Sequence, residues 1–181
     1  MDHDVHEHVS NCIWCRRAKA IQRTRAGKLH PSRHEHDGET LSIDLIKPGG
    51  STSEGYKYAL TMLDPFSHFL VAVPLTSKLA SEILEAFVQH VILRGRLPSR
   101  VTSDNGSEFK NELMQKACEL FKVRFGYSIP YHPQSNSVER VHRFVNSSLR
   151  IALNKSNSHH HSWSNALPYI VHVYNKDRYD V

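Results

Sequence analysis

Three carboxylates stand at positions where an acidic side chain is either costly or marked. Asp44 interrupts Leu41-Ser42-Ile43-Asp44-Leu45-Ile46, an apolar run that reads as a strand. Asp is depleted in strands, and burying it is unfavourable unless it is paired or bound to a metal. Asp44 therefore lies on an exposed strand edge or acts as a ligand. Asp104 ends a short strand and opens Asp104-Asn105-Gly106, which is also the sequence of an ordinary turn. Glu139 opens a helical segment after a polar loop, where an acidic side chain is favourable against the helix dipole with no further role. Asp64, by contrast, belongs to Asp64-Pro65-Phe66-Ser67 and reads as turn chemistry alone. Among sulfur and imidazole groups, Cys12 and Cys15 form a C-x-x-C, and Cys118 in an apolar context reads as a small core residue. His159-His160-His161 could chelate an ion, but three adjacent side chains rarely converge on one, which favours a solvated loop.

The elements that must position these residues follow from hydrophobic spacing. Leu41–Ile46, Tyr56–Leu63 and His68–Val73 read as a three-strand meander. Leu79, Ile83, Leu84, Phe87, Val88, Val91 and Ile92 mark one face of a helix, with Ser77 as N-cap and Gly95 and Pro98 ending the region. Strand Arg100–Ser103, helix Glu108–Phe121 and strand Val123–Phe125 follow. A long helix over Ser137–Lys155 carries the stripe Val138, Val141, Val145, Leu149 and Ala152, and a last helix covers Trp163–Tyr174. This order predicts an α/β fold: a mixed five-stranded sheet flanked by helices, with some parallel pairing.

The chain has 181 residues, 39% of them hydrophobic and 23% charged, enough for one domain with a short appendage. Three cysteines exclude a framework with every cysteine paired and suit a reducing compartment. No apolar stretch is long enough for a transmembrane helix, and the polar first residues predict no signal peptide. With 23 Lys+Arg against 18 Asp+Glu, the formal charge of +5 is compatible with a polyanionic partner. Arg16 to Arg33 holds seven Lys/Arg and no acid, which reads as a solvated linker or as a basic arm that neutralises phosphates.

In combination these features are specific. A strand Asp, the segment Ser103-Asp104-Asn105-Gly106-Ser107-Glu108-Phe109, then Tyr131-His132-Pro133-Gln134-Ser135-Asn136 with Val138-Glu139-Arg140, resembles the catalytic core of retroviral and LTR-retrotransposon integrases, the Ty3/gypsy type above all. The resemblance runs from about Leu41 to Asn175 and implies an RNase H-like fold. It also implies that Asp44, Asp104 and Glu139 form a catalytic acidic triad. Such a triad holds Mg²⁺ (or Mn²⁺) and processes 3′ DNA ends, which it joins to target DNA by transesterification. Hard oxygen donors suit Mg²⁺. Two ions about 3.5–4 Å apart would activate the attacking oxygen and stabilise the leaving one. Phosphoryl transfer needs positioning and charge neutralisation more than covalent help. One departure is visible: thirty-four residues separate Asp104 from Glu139, one fewer than the family habit. The shortfall falls in the loop or first helical turn and leaves two alternatives, a shorter loop with activity kept or a displaced triad in a decayed element.

The same resemblance implies DNA-end contacts from Tyr131, Asn136, Arg143 and Asn146, the last two on a helix face shared with Glu139, His142 and Arg150; a solvated basic face is the alternative. Cys12 and Cys15 look like the end of the family's amino-terminal zinc domain. The distance from His3, His6 or His8 is too short for that architecture, so an incomplete Zn²⁺ site is expected, complete only in a longer chain. The expected organisation is residues 1–39 as the zinc-domain remnant with basic linker and residues 40–178 as the catalytic core, part of a longer polyprotein. Expected partners are element-end DNA and target chromosomal DNA, with a dimer or tetramer of the chain and no membrane. The expected location is the nucleus, after a stage in cytoplasmic virus-like particles. A non-catalytic DNA- or protein-binding domain derived from an integrase is the competing reading.

Overall fold

A computed structural model describes residues 2–13, 36–49, 52–127, 135–155 and 162–179. Five strands form one sheet: β1 (Thr40–Ile46), β2 (Tyr58–Leu63), β3 (Leu70–Leu75), β4 (Arg100–Ser103) and β5 (Arg124–Tyr127), in the order β3-β2-β1-β4-β5. The meander β1–β2–β3 is antiparallel, while β4 pairs parallel to β1 and β5 parallel to β4. The helices are α1 (Asp2–Asn11), α2 (Ala80–His90), α3 (Glu112–Leu120), α4 (Ser135–Lys155) and α5 (Trp163–Tyr179).

Strand alternation divides the core between the two faces of the sheet. Leu41, Ile43, Leu60, Met62 and Val101 pack with Ile83, Ala86 and Phe87 of α2 and Met114 and Cys118 of α3. On the opposite face, Ile46, Ala59, Leu63 and Leu70 pack with Val141, Val145 and Leu149 of α4 and Trp163, Leu167 and Tyr174 of α5. The fully buried side chains Phe87, Leu60 and Met62 each contribute about 1.5–3 kcal/mol by leaving water. Burial also pushes the Cys118 thiol above its usual range, as expected of an inert core cysteine. On the same period, Ser42 and Asp44 fall on the α4 face together with Ile46.

Several boundaries differ from the sequence expectation, each for a local reason. Helix α2 starts at Ala80, not at Ser77. Leu79 occupies the N-cap position without a side-chain bond, and the Glu82 carboxylate reaches back to accept from the Thr76 and Ser77 amides at 2.6 and 2.8 Å. Helix α3 starts at Glu112, not Glu108, because the Asn111 side chain caps it by accepting from the Met114 amide at 2.8 Å. Strand β3 starts two residues later than expected, since its register with β2 begins at Leu63↔Leu70. Asn175 of α5 both accepts from the Leu70 amide and donates to the Leu70 carbonyl, each at 2.9 Å, which satisfies an edge-strand residue as a neighbouring strand would. Helix α1 was not foreseen, because its polar residues carry no apolar period.

Candidate active site

The register of β1 on β4 positions the two aspartates. Ile43 pairs with Ser103 at the end of the parallel ladder, so Asp44, still within β1, and Asp104, just past β4, each follow that last pair by one residue. Asp104 is exposed; its Oδ1 accepts from the Gly106 amide at 2.9 Å, the ordinary turn bond that Asp-Asn-Gly favours. Asp44 Oδ1 accepts from the Leu45 amide at 2.7 Å. Burial raises the Asp44 carboxyl, the Leu45 bond opposes this, and the negative charges of Asp104 and Glu108 add to the rise; the result is about 6. Glu108 is held below its usual value by backbone hydrogen bonding first and, against some burial, by Lys78, whose Nζ lies 3.4 Å from Oε1.

Three carboxylates are thus within electrostatic reach of one another. Such crowding is unfavourable for an isolated protein and is what a divalent cation relieves. By donor chemistry Asp44 and Asp104 fit a hard cation. Glu139 stands differently. It is exposed on α4, with Oε2 3.9 Å from Arg143 Nη2 in an i,i+4 pair. Among the described residues no three His, Cys, Asp or Glu side chains are gathered so as to hold a metal ion.

Two residues near the aspartates were not assigned from sequence. Glu108 was visible only as part of the Asp-Asn-Gly-Ser-Glu-Phe segment. His142 was placed on the outer helix face with Arg143; instead it turns inward, with Nε2 2.9 Å from Thr61 Oγ1 and Nδ1 3.6 Å from Asp44 Oδ2. Burial pushes the imidazole down to about 4, so it is neutral at physiological pH.

Gly106 is constrained by this site. A Cβ there would lie 2.9 Å from both Asp104 Oδ1 and Glu108 Oε2. Gly106→Ala should displace both carboxylates while leaving the core untouched. Since an error of about 1 Å can cost roughly a hundredfold in rate, any reaction that uses these carboxylates should slow by about tenfold or more. The melting temperature should move by no more than a few degrees, and activity and melting curves measured together check this.

The remaining candidates are dispersed. Arg143 is exposed, Asn146 half-buried, and Asn136 falls in the first turn of α4; Tyr131 lies outside the described residues. Cys12 follows α1 and is half-buried, His3 and His8 are exposed, and Cys15 lies outside the described residues, as does His159-His160-His161. Asp64 is structural: it is 3% exposed and accepts from the Gly38 and Phe66 amides and the Ser67 hydroxyl at 2.9, 2.8 and 2.8 Å.

A mixed five-stranded sheet in this order, flanked by helices and with Asp44 and Asp104 where its β1–β4 ladder ends, is an RNase H-like fold. Residues 34–133 match the integrase core domain family, and the chain belongs to that family. It is 28% identical over 142 residues to the retrovirus-related Pol polyprotein from transposon 412 of Drosophila melanogaster, a match covering 78% of this chain and 11% of the relative. It is 31% identical over 121 residues to gypsy retrotransposon integrase-like protein 1 of Bos taurus, covering 67% of this chain and 24% of that protein. The HTLV-2 integrase catalytic core domain, solved in complex with magnesium in a dimeric form, has the same fold. Its TM-score is 0.62 at 19% identity, covering 77% of this chain and 87% of that one. The chain thus spans less than a quarter of the length of the two polypeptide relatives.

Proposed function

We propose that this chain is the catalytic core of a retroelement integrase, which trims the 3′ ends of the element's DNA and joins them to target DNA. The observation that carries the reading is the placement of Asp44 and Asp104 one residue past the last β1–β4 pair, with Asp44 driven up by burial and by its acidic neighbours. Asp44, Asp104 and Glu139 would hold Mg²⁺ or Mn²⁺. When bound, the ions supply charge neutralisation to the phosphate and acidity to the attacking oxygen.

The chain's own part is placement. Rigid β1 and β4 fix the two aspartates, and α4 carries Glu139 on an exposed face. In end trimming the attacker is water; in joining it is the 3′-hydroxyl. Each displaces the 3′-oxygen of a phosphodiester in a single in-line step. One P–O bond forms as the other breaks, the attacker's proton passes to solvent, and the departing oxygen takes one up. No covalent enzyme intermediate is required.

Arg143 and Asn146 on α4, with Tyr131 and Asn136, would bind the DNA end, chiefly through phosphates. Arg143→Glu should therefore weaken duplex binding and lower the slope of log affinity on log salt by about 1 or more, with no change in the melting curve. Unchanged binding across a salt titration would remove Arg143 from the interface. The same reading assigns the protein to the nucleus after passage through cytoplasmic virus-like particles, as a dimer or tetramer on paired DNA ends. It also treats Cys12 and Cys15 as half of a Zn²⁺ site completed in a longer polypeptide.

A second reading, DNA binding without catalysis, is favoured by the pairing of exposed Glu139 with Arg143, by the lack of a three-ligand group among the described residues and by the thirty-four-residue spacing. Joining of a labelled duplex to plasmid in Mg²⁺ or Mn²⁺ by the unaltered chain and by Glu139→Gln separates the two. Joining by the unaltered chain that is lost in the variant supports catalysis through Glu139. Duplex binding with no joining by either supports the second reading.

A further inference from the structure

The α4 face of the sheet continues beyond α4, across β4 and β5. Val101, Val123 and Phe125 point the other way, into the core against α2 and α3. By alternation Arg100 and Thr102 of β4 and Arg124 and Gly126 of β5 share the face of Ser42 and Asp44. The register sets them in rows: Thr40, Arg100 and Arg124 form one, and Ser42, Thr102 and Gly126 form the next. Asp44 and Asp104 follow that second row. At about 3.3 Å per residue, Arg100 lies about 13 Å from Asp104 along the chain.

This strip is open. The core beneath α4 and α5 draws on β1, β2 and β3 and on no residue of β4 or β5. Arg100 and Arg124 are exposed, and among the described residues neither makes an ion pair. Like charges at paired positions of adjacent strands repel, so the arginine pair is unfavourable in the isolated chain. In the next row the Ser42 and Thr102 hydroxyls lie 3.1 Å apart. A Cβ on Gly126 would meet nothing within 4 Å, which leaves room for a ligand's backbone to approach the sheet.

We infer that this strip binds the sugar-phosphate backbone of the DNA strand that reaches Asp44 and Asp104, with Arg100 and Arg124 as its phosphate contacts. The inference rests on the proposed function for the identity of that strand. Charge and chemistry select the occupant. Two unpaired guanidinium forks match phosphate oxygens, and a row of hydroxyls and glycine suits a polar backbone. A partner that docks through apolar side chains would find no large apolar residue in the strip.

Fluorescence anisotropy of a labelled duplex ending in a 3′-hydroxyl, titrated across salt in EDTA, tests this without catalysis. Arg100→Gln/Arg124→Gln should weaken binding by about tenfold or more and lower the slope of log affinity on log salt by about 1–2. Its melting temperature should be unchanged or slightly higher, because a repulsion is removed. Arg100→Lys/Arg124→Lys should restore most of the slope. Lys57→Gln/Lys116→Gln removes the same charge from exposed sites elsewhere and should lower the slope by less than half as much.

Unchanged duplex binding in the Arg→Gln pair overturns the inference, as does an equal loss in the two Gln pairs, which would make net charge the cause. Melting temperatures lower by more than a few degrees in the Arg→Gln and Arg→Lys pairs alike would assign the arginines to folding. Binding of polyglutamate that is lost in the Arg→Gln pair, with duplex binding kept, would reassign the strip to an acidic protein. Each of these leaves the proposed function standing. No duplex binding by the unaltered chain at low salt overturns both.

Discussion

Asp44→Asn is expected to abolish strand transfer and, in the metal-free protein at neutral pH, to raise the melting temperature. The two effects have one origin. The carboxylate sits largely buried beside Asp104 and Glu108, and it titrates near 6 in the folded chain. The sign follows from proton binding. Between about pH 4 and 6 the unfolded chain has lost the Asp44 proton and the folded chain has kept it, so the folded state binds more protons and stability falls as pH rises. Above about pH 6 the full penalty is present; below about pH 4 it vanishes.

A rise of about two pKa units corresponds to about 2–3 kcal/mol, and replacing the charge-assisted bond to the Leu45 amide by an amide acceptor gives some of this back. A net gain of about 1–2 kcal/mol, or roughly 2–6 °C, is therefore expected at pH 7.5 in EDTA, shrinking toward zero near pH 4. Activity should meanwhile fall by about 10³-fold or more, because a catalytic group acting as part of a unit is not replaced by its neighbours. Thermal melts at the two pH values and a strand-transfer assay check the pair. A variant that is both inactive and less stable at pH 7.5 would mean that Asp44 is held for folding and not for cation binding.

Asp64→Ala should produce the largest loss of stability among the acidic positions. Burial alone would raise this carboxyl, but hydrogen bonds from the Gly38 and Phe66 amides and the Ser67 hydroxyl outweigh it and hold the group below its usual range. Removal leaves the Gly38 and Phe66 amides without their acceptor at the β2–β3 turn. Bonds to a charged acceptor are each worth about 1.5–3 kcal/mol, so a total loss of roughly 3–5 kcal/mol is expected. Because the folded pKa is depressed, the stabilisation is complete above the unfolded carboxyl pKa and is lost as pH falls through the folded value. Urea midpoints for the two chains should therefore converge under acid conditions. Equal midpoints at pH 7 would show that the turn is held by Pro65 and packing alone.

Asp44 and Asp64 show how far the residues themselves could be read. Both are acids beside strands. One interrupts an apolar alternation and lies within reach of Asp104 and Glu108; the other opens an Asp-Pro turn and bonds within it. Strands β1, β2 and β4 were legible because Leu41, Ile43, Leu60, Met62 and Val101 follow the period of a buried face. Helix α4 was legible through Val141, Val145 and Leu149. Helix α1 has no such stripe and was missed. The start of α2 was misplaced because a serine before an apolar period resembles an N-cap, whereas the bonds are made by Glu82, a residue further along the chain.

His142 was misread for a different reason. Its spacing from Glu139 and Arg143 places it at the border between the apolar stripe and the outer face. Only the cross-strand pairing of Asp44 with Thr61 supplies the polar partners that draw it inward. Glu108 was likewise brought to the aspartates by the turn at Gly106, which no periodicity encodes.

Joining of a 3′-hydroxyl duplex to plasmid DNA by the unaltered chain and by Asp104→Asn, each with and without Mn²⁺, tests most directly that the paired aspartates carry DNA strand transfer. The expected result is joining by the unaltered chain only when Mn²⁺ is present, and joining lower by about 10³-fold or more in the variant. Metal-dependent joining that survives Asp104→Asn would contradict it.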